Sequence, residues 1–158
     1  MNKKAFTLIE LLVIIVILGS LAALLSGNFV NSLKKGRDAK RKGDINQIQK
    51  ALEMYYEDRR AYPTELIFGT LLRDSASQKI YMQKVPNDPL PNKDYGYEAD
   101  SSGLYYRLYA CLENAQQILP YTAPLSKTID FPCSVQCEDQ EGASVECIWA
   151  ISSSNTTP

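Results

Sequence analysis

Glu10 is the side chain in this sequence that most needs a chemical partner. It stands near the start of an apolar run, in the string Lys3-Lys4-Ala5-Phe6-Thr7-Leu8-Ile9-Glu10. An ionised carboxylate within a membrane helix costs roughly 2.5–3.5 kcal/mol, so such residues are rare and are usually paired. The second reactive group is a set of four cysteines, Cys111, Cys133, Cys137 and Cys147, all in the last third of the chain. Their even number suits two disulfides made outside the cytosol. Buried free thiols and a zinc site are the alternatives. Zinc is disfavoured by the lack of paired C-x-x-C knuckles and by the complete absence of histidine. Of the three possible pairings, Cys137–Cys147 across the turn-like Asp139-Gln140-Glu141-Gly142 is preferred, which leaves Cys111–Cys133. The missing histidine also removes the commonest general base. No phosphate-cradling glycine loop, catalytic dyad or cofactor motif is visible, so the sequence reads as a non-enzyme without a cofactor.

The elements that must position these groups follow from hydropathy. Of the twenty residues from Phe6 to Leu25, sixteen are apolar, the exceptions being Thr7, Glu10, Gly19 and Ser20. As a helix this run is about 30 Å long, the thickness of a bilayer's hydrocarbon core. A cleaved secretory signal would have a shorter apolar core, no internal acid and a better A-x-A site than Ala22-Ala23-Leu24-Leu25-Ser26-Gly27. Beyond it, Val30, Leu33, Ile45, Ile48, Leu52 and Tyr55 keep helical spacing and predict one apolar stripe. The basic stretch Lys34 to Gly43 carries two glycines and is expected to loosen or bend the helix. Pro63 should stop it near Ala61-Tyr62. A continuous helix from Phe6 would run roughly 80 Å, too long for one small domain. Then come a short helix around Glu65 to Leu72 and an irregular Asn87 to Asn92. Strands are expected at Tyr95–Ala99 and Leu104–Leu112 around the turn Asp100-Ser101-Ser102-Gly103, and at Ser144–Ile151. The predicted fold class is α+β, a long N-terminal helix on a small antiparallel sheet. Its segments are 1–5, 6–27, 28–62, 63–151 and a frayed tail, 152–158.

The basic leader, the string Phe6-Thr7-Leu8-Ile9-Glu10-Leu11-Leu12, the helix ending at Tyr62-Pro63 and the late cysteines together resemble a type IV pilin or a related pseudopilin. The resemblance implies removal of residues 1–5 by a prepilin peptidase, cutting between Ala5 and Phe6, and N-methylation of Phe6. Ala5 stands where the family usually has glycine, and Ser26-Gly27 where many relatives have a helix-kinking proline, so local melting there is the weaker expectation. Cleavage would leave an α-ammonium on Phe6 at a depth similar to that of Glu10, and the carboxylate of an incoming subunit could pair with the ammonium of its neighbour. The expected protein is therefore a structural subunit. It would be a single-pass precursor in the cytoplasmic membrane, handled by inner-membrane assembly machinery and polymerised as a homo-oligomeric helical filament. A pilus-like filament at the cell surface is the first reading. A pseudopilin of a type II secretion or DNA-uptake machine is the second, and a membrane-anchored binding domain that never polymerises is the third.

The remaining charges are local. The formal balance is 17 basic against 18 acidic residues, or −1, and loss of Lys3 and Lys4 would make it 15 against 18. By the positive-inside rule, the basic stretch after the apolar run opposes export; the cysteines and the leader favour it. That stretch reads as a solvated helix face, with membrane lipid headgroups or acids of neighbouring subunits as further partners. Interruption by Asp38 and Asp44, and the absence of interleaved aromatic residues, argue against nucleic acid. Asp88, Asp94, Glu98 and Asp100 are weak calcium candidates. Some secretion pseudopilins have a calcium loop with an Asp-Pro pair like Asp88-Pro89, but the spacing here matches no EF-hand. Solvated acids in a proline-fixed turn are the simpler reading.

Overall fold

The computed structural model describes residues 6–153 apart from Asn92, residues 121–130 and the side chains of residues 24–28. The leader with Ala5, the tail beyond Ser153, and the side chains at Ser26-Gly27 thus lie outside the described residues. Helix α1 (Leu8–Arg59) precedes seven described strands: β1 (Leu72–Arg73), β2 (Ile80–Met82), β3 (Gly96–Ala99), β4 (Tyr106–Cys111), β5 (Gln136–Glu138), β6 (Ser144–Glu146) and β7 (Ile148–Ser152). The class is α+β, as the hydrophobic periods predict. Two compact units are resolved, Met1–Lys34 and Lys35–Pro158.

In the first unit the apolar side chains have no described neighbour to bury them. Leu8 is 82% exposed, Ile9 70% and Leu18 60%. Among the described residues no helical stretch is long and apolar enough to cross a membrane. The described side chains of the run end at Ala23, whereas in the sequence it continues through Leu24 and Leu25.

Of the stripe predicted on the helix, Ile45, Ile48, Leu52 and Tyr55 enter the core of the second unit, whereas Val30 and Leu33 are exposed. Ile45, Ile48, Ala51 and Leu52 are buried together with Tyr95, Tyr106, Leu108 and Ala110. The main sheet is antiparallel in the order β3-β4-β7. Strand β4 is central and is covered on both faces. Its Tyr106, Leu108 and Ala110 join the helix-side cluster, while Tyr109 packs with Cys133, Ile148 and Ala150 on the other side. Complete burial of side chains of this size contributes about 1.5–3 kcal/mol each, so β4 anchors the unit.

The helix ends close to the expected place. Arg60 turns left-handed at φ 56° and its N–H donates to the Tyr56 carbonyl at 2.7 Å, a left-handed C-terminal cap made without glycine. The hairpin turn between β3 and β4 does need its glycine. Gly103 has φ +69°, and a Cβ there would lie 2.8 Å from the Tyr62 carbonyl oxygen, while the Gly103 carbonyl accepts the Tyr62 N–H at 2.7 Å.

Three local expectations are corrected. Residues 36–43 stay helical and do not loosen, the same stretch carrying Asp38 and Arg41, which are bonded to other segments and offset the glycine penalty. No helix forms over residues 65–72. Gly69 sits at φ 78°, and this segment exchanges backbone bonds with Val85 instead, Gly69 N to Val85 O at 2.8 Å and Val85 N to Thr70 O at 2.6 Å. The single strand expected at Ser144–Ile151 is two, because Cys147 sits between them and directs β6 to β5 and β7 to β4.

Candidate functional site

The N-terminal acid is engaged by its own helix. Glu10 Oε2 accepts the Thr7 N–H at 2.9 Å and the Thr7 hydroxyl at 2.7 Å, and Thr7 Oγ1 accepts the Glu10 N–H at 3.3 Å. This is a reciprocal capping box, with Thr7 as N-cap and Glu10 three residues on. The spacing Thr7-x-x-Glu10 is itself the sequence signal for this helix start. Phe6 is exposed beside it, and Phe6, Ile9, Glu10, Val13 and Ile14 line one shallow apolar groove.

The second unit holds a buried ion-pair cluster that hydropathy alone does not reveal. Arg41, only 1% exposed, forks onto Asp88, with Nε at 2.6 Å from Oδ2 and Nη2 at 2.9 Å from Oδ1. Its Nη1 donates to Asp38 at 2.9 Å and to Glu113 at 2.6 Å. Arg37 makes a second fork on Glu113, at 2.8 and 2.6 Å. Asp38 then caps the chain after β4, accepting the N–H groups of Glu113 and Asn114, each at 2.9 Å, and the Gln117 amide at 2.8 Å. Lys42 closes the set by donating to the Gln117 carbonyl oxygen, with its ammonium 4.3 Å from the Trp149 ring centroid.

Electrostatics follow the geometry. The Arg37 fork, aided by the single bond from Arg41, holds the Glu113 carboxyl far below its ordinary range, at about 2. Burial opposes the charge on Arg41, but the bonds to Asp88 and Glu113 overcome it and its pKa rises. Lys42 has the reverse balance, since burial lowers its pKa. The basic stretch is thus split by helical phase. Lys35 and Lys40 are exposed, whereas Asp38 and Arg41 face inward, which corrects the solvated-face reading for the inward residues. Positions 33, 37, 41, 44, 48 and 52 are spaced by three or four. The apolar stripe therefore runs on through charged residues, and that phase was the available signal.

Of the cation candidates, Asp88 and Asp94 line one cleft, while Glu98 and Asp100 are bonded elsewhere. Asp88 spends both carboxylate oxygens on Arg41 and also accepts the Leu90 N–H at 2.8 Å. Glu98 pairs with Arg107 at 2.9 Å. Asp100 folds back on its own turn, accepting the Ser102 N–H at 3.1 Å. Asp94 lines a cleft of about 520 Å³ with Glu65, Lys93 and Tyr97. Among the described residues no three His, Cys, Asp or Glu side chains are grouped so that they could hold a metal ion. The sulfurs are joined as Cys111–Cys133 and Cys137–Cys147. The second bridge flanks the Asp139–Gly142 turn, where Asp139 accepts the N–H groups of Glu141 and Ala143 at 2.9 Å.

Known proteins resemble this chain in two blocks. A family model for type II secretion system protein G matches residues 28–117, and one for the prokaryotic N-terminal methylation motif matches residues 1–26. Among relatives named type II secretion system core protein G, that of Pseudomonas aeruginosa is 34% identical over 69% of this chain and 82% of its own length. The Escherichia coli K12 protein is 34% identical over 60% of this chain and 70% of its own. The Dickeya chrysanthemi protein is 34% identical over 56% of this chain, and the match spans 63% of its own length. No solved structure matches. These relatives favour the secretion reading over the surface pilus placed first from the sequence.

Proposed function

The chain belongs to the family of type II secretion system protein G, and on that premise we propose that it is a structural subunit of a pseudopilus. The precursor is cut between Ala5 and Phe6 by a prepilin peptidase, methylated at Phe6 and held in the inner membrane by the apolar run. Assembly machinery then draws it into a periplasmic helical homopolymer. The observation that carries this reading is the exposed apolar helix of the first unit with one carboxylate, Glu10, at its start. Such a surface needs either lipid or copies of itself, and within a polymer the acid needs a cation.

In this mechanism the Phe6 ammonium of a neighbouring subunit supplies that cation. The capping bonds from Thr7 keep the carboxylate hydrogen-bonded before assembly, so docking exchanges one set of donors for a stronger, charged one. Methylation preserves the positive charge and removes one N–H. The two disulfides suit the oxidising side of the membrane.

The test is a Glu10→Ala substitution in the native cell, with crosslinking of membranes and of sheared fibres. The variant should accumulate as an uncrosslinked membrane protein and should stop secretion. Crosslinked ladders equal to those of the wild type would refute the role of Glu10. Long surface fibres lost on deletion, with secretion intact, would return the surface-pilus reading.

A further inference from the structure

We infer that the Arg41 guanidinium does the work of a divalent cation in this chain, pinning the loop that carries Asp88 to the helix, so that the globular unit folds without calcium. The premise is the convergence of three carboxylates from three distant segments: Asp38 on α1, Asp88 between β2 and β3, and Glu113 just after β4. Carboxylates brought together in a protein interior must be neutralised, since each unpaired one costs several kcal/mol. A hard oxygen-seeking cation is one solution, binding six to eight oxygens. This chain carries another.

Arg41 reaches all three acids at 2.6–2.9 Å. Its fork occupies both oxygens of Asp88, the same residue whose Asp-Pro pair suggested a metal loop. The charge count also closes without a metal. Arg37 and Arg41 stand against Asp38, Asp88 and Glu113, which leaves one negative charge, and Lys42 is joined to Asp38 through Gln117. A divalent ion would have to displace a guanidinium held by four hydrogen bonds. A planar guanidinium also fixes direction, which a spherical ion does not. The residue after Leu112 is further tethered, because the Leu112 N–H donates to the Cys147 carbonyl at 2.8 Å and Cys111 is bonded to Cys133. The inference concerns folding only and holds whether or not the chain polymerises.

The experiment is thermal unfolding of the full chain in detergent micelles, followed by circular dichroism in excess EGTA and again in millimolar calcium chloride. The two midpoints should agree to within about 1 °C. A saturable native-state site would raise the midpoint by roughly 5 °C or more, and that result would overturn the inference. An Arg41→Met variant should melt about 10 °C lower, with no recovery in calcium. Melting with the wild type in EGTA would show that Arg41 holds nothing. Should Arg41→Met not fold, Arg41→Lys keeps the charge without the fork and should lose several degrees in both buffers; unchanged melting of that variant counts against the inference.

Discussion

At the residue scale, charge in this chain is used where hydropathy predicts either lipid or water. Glu113 is the clearest case, with its carboxyl held at about 2 by Arg37 and Arg41. A carboxyl depressed in the folded state contributes stability that is complete above its unfolded pKa near 4.5 and is lost as pH falls through about 2. Acid titration of the wild type should therefore show stability falling between those values. A Glu113→Gln variant should be less stable at neutral pH and flatter across that window; an identical slope would mean that the ion pairs contribute nothing. Thr7 gives a second, local prediction. Removing its hydroxyl in Thr7→Val breaks the bond from the Glu10 N–H, and loss of an N-cap costs about 1 kcal/mol. Amide exchange at Glu10 should accelerate about fivefold, and unchanged exchange would show that the cap is not formed in the membrane mimetic.

At the element scale, what could be read from the sequence depended on whether the signal was local. The helix stop and the hairpin at Asp100–Gly103 were legible because proline and glycine act on their own backbone. The division of β6 from β7 was not, since it depends on partners in β5 and β4 that are distant in sequence. Helical phase marks Arg41 as inward-facing, but two of its three acids lie 47 and 72 positions away, and no local pattern names them. The segment 65–72 misled because its spacing fits a helix, whereas Gly69 and the bonds to Val85 commit it to an extended path. The Gly103 turn gives a test at this scale. Gly103→Ala places a methyl group 2.8 Å from the Tyr62 oxygen at a positive φ and should cost about 2 kcal/mol or more in urea unfolding. A loss under half that would mean the turn can relax. Reduction is a second test. The two bridges close sequence separations of 22 and 10 residues and each should contribute about 2–4 kcal/mol, so thiol reductant should lower the melting point sharply.

At the scale of the whole molecule, the two units make different demands. Residues 35–158 carry their own core, their own ion pairs and both disulfides. Among the described residues, those up to Lys34 present apolar surface with one acid at its head. Family membership was legible because Phe6 to Leu12 form a local motif, within the residues that the N-terminal methylation model matches. The choice between pilus and secretion apparatus was not legible, because the motif at Phe6 to Leu12 is shared by both expected classes, and only the match over residues 28–117 separates them. The C-terminal part beyond residue 117, with β5 to β7 and three of the four cysteines, lies outside the matched family model.

The most direct measurement is the mass of the N-terminal peptide of the chain recovered from its native cell. A peptide that begins at Phe6 and carries one added methyl group is the predicted result. A peptide that retains Met1, or one that begins near Asn28, would contradict the proposal that this helix is processed for assembly through Glu10.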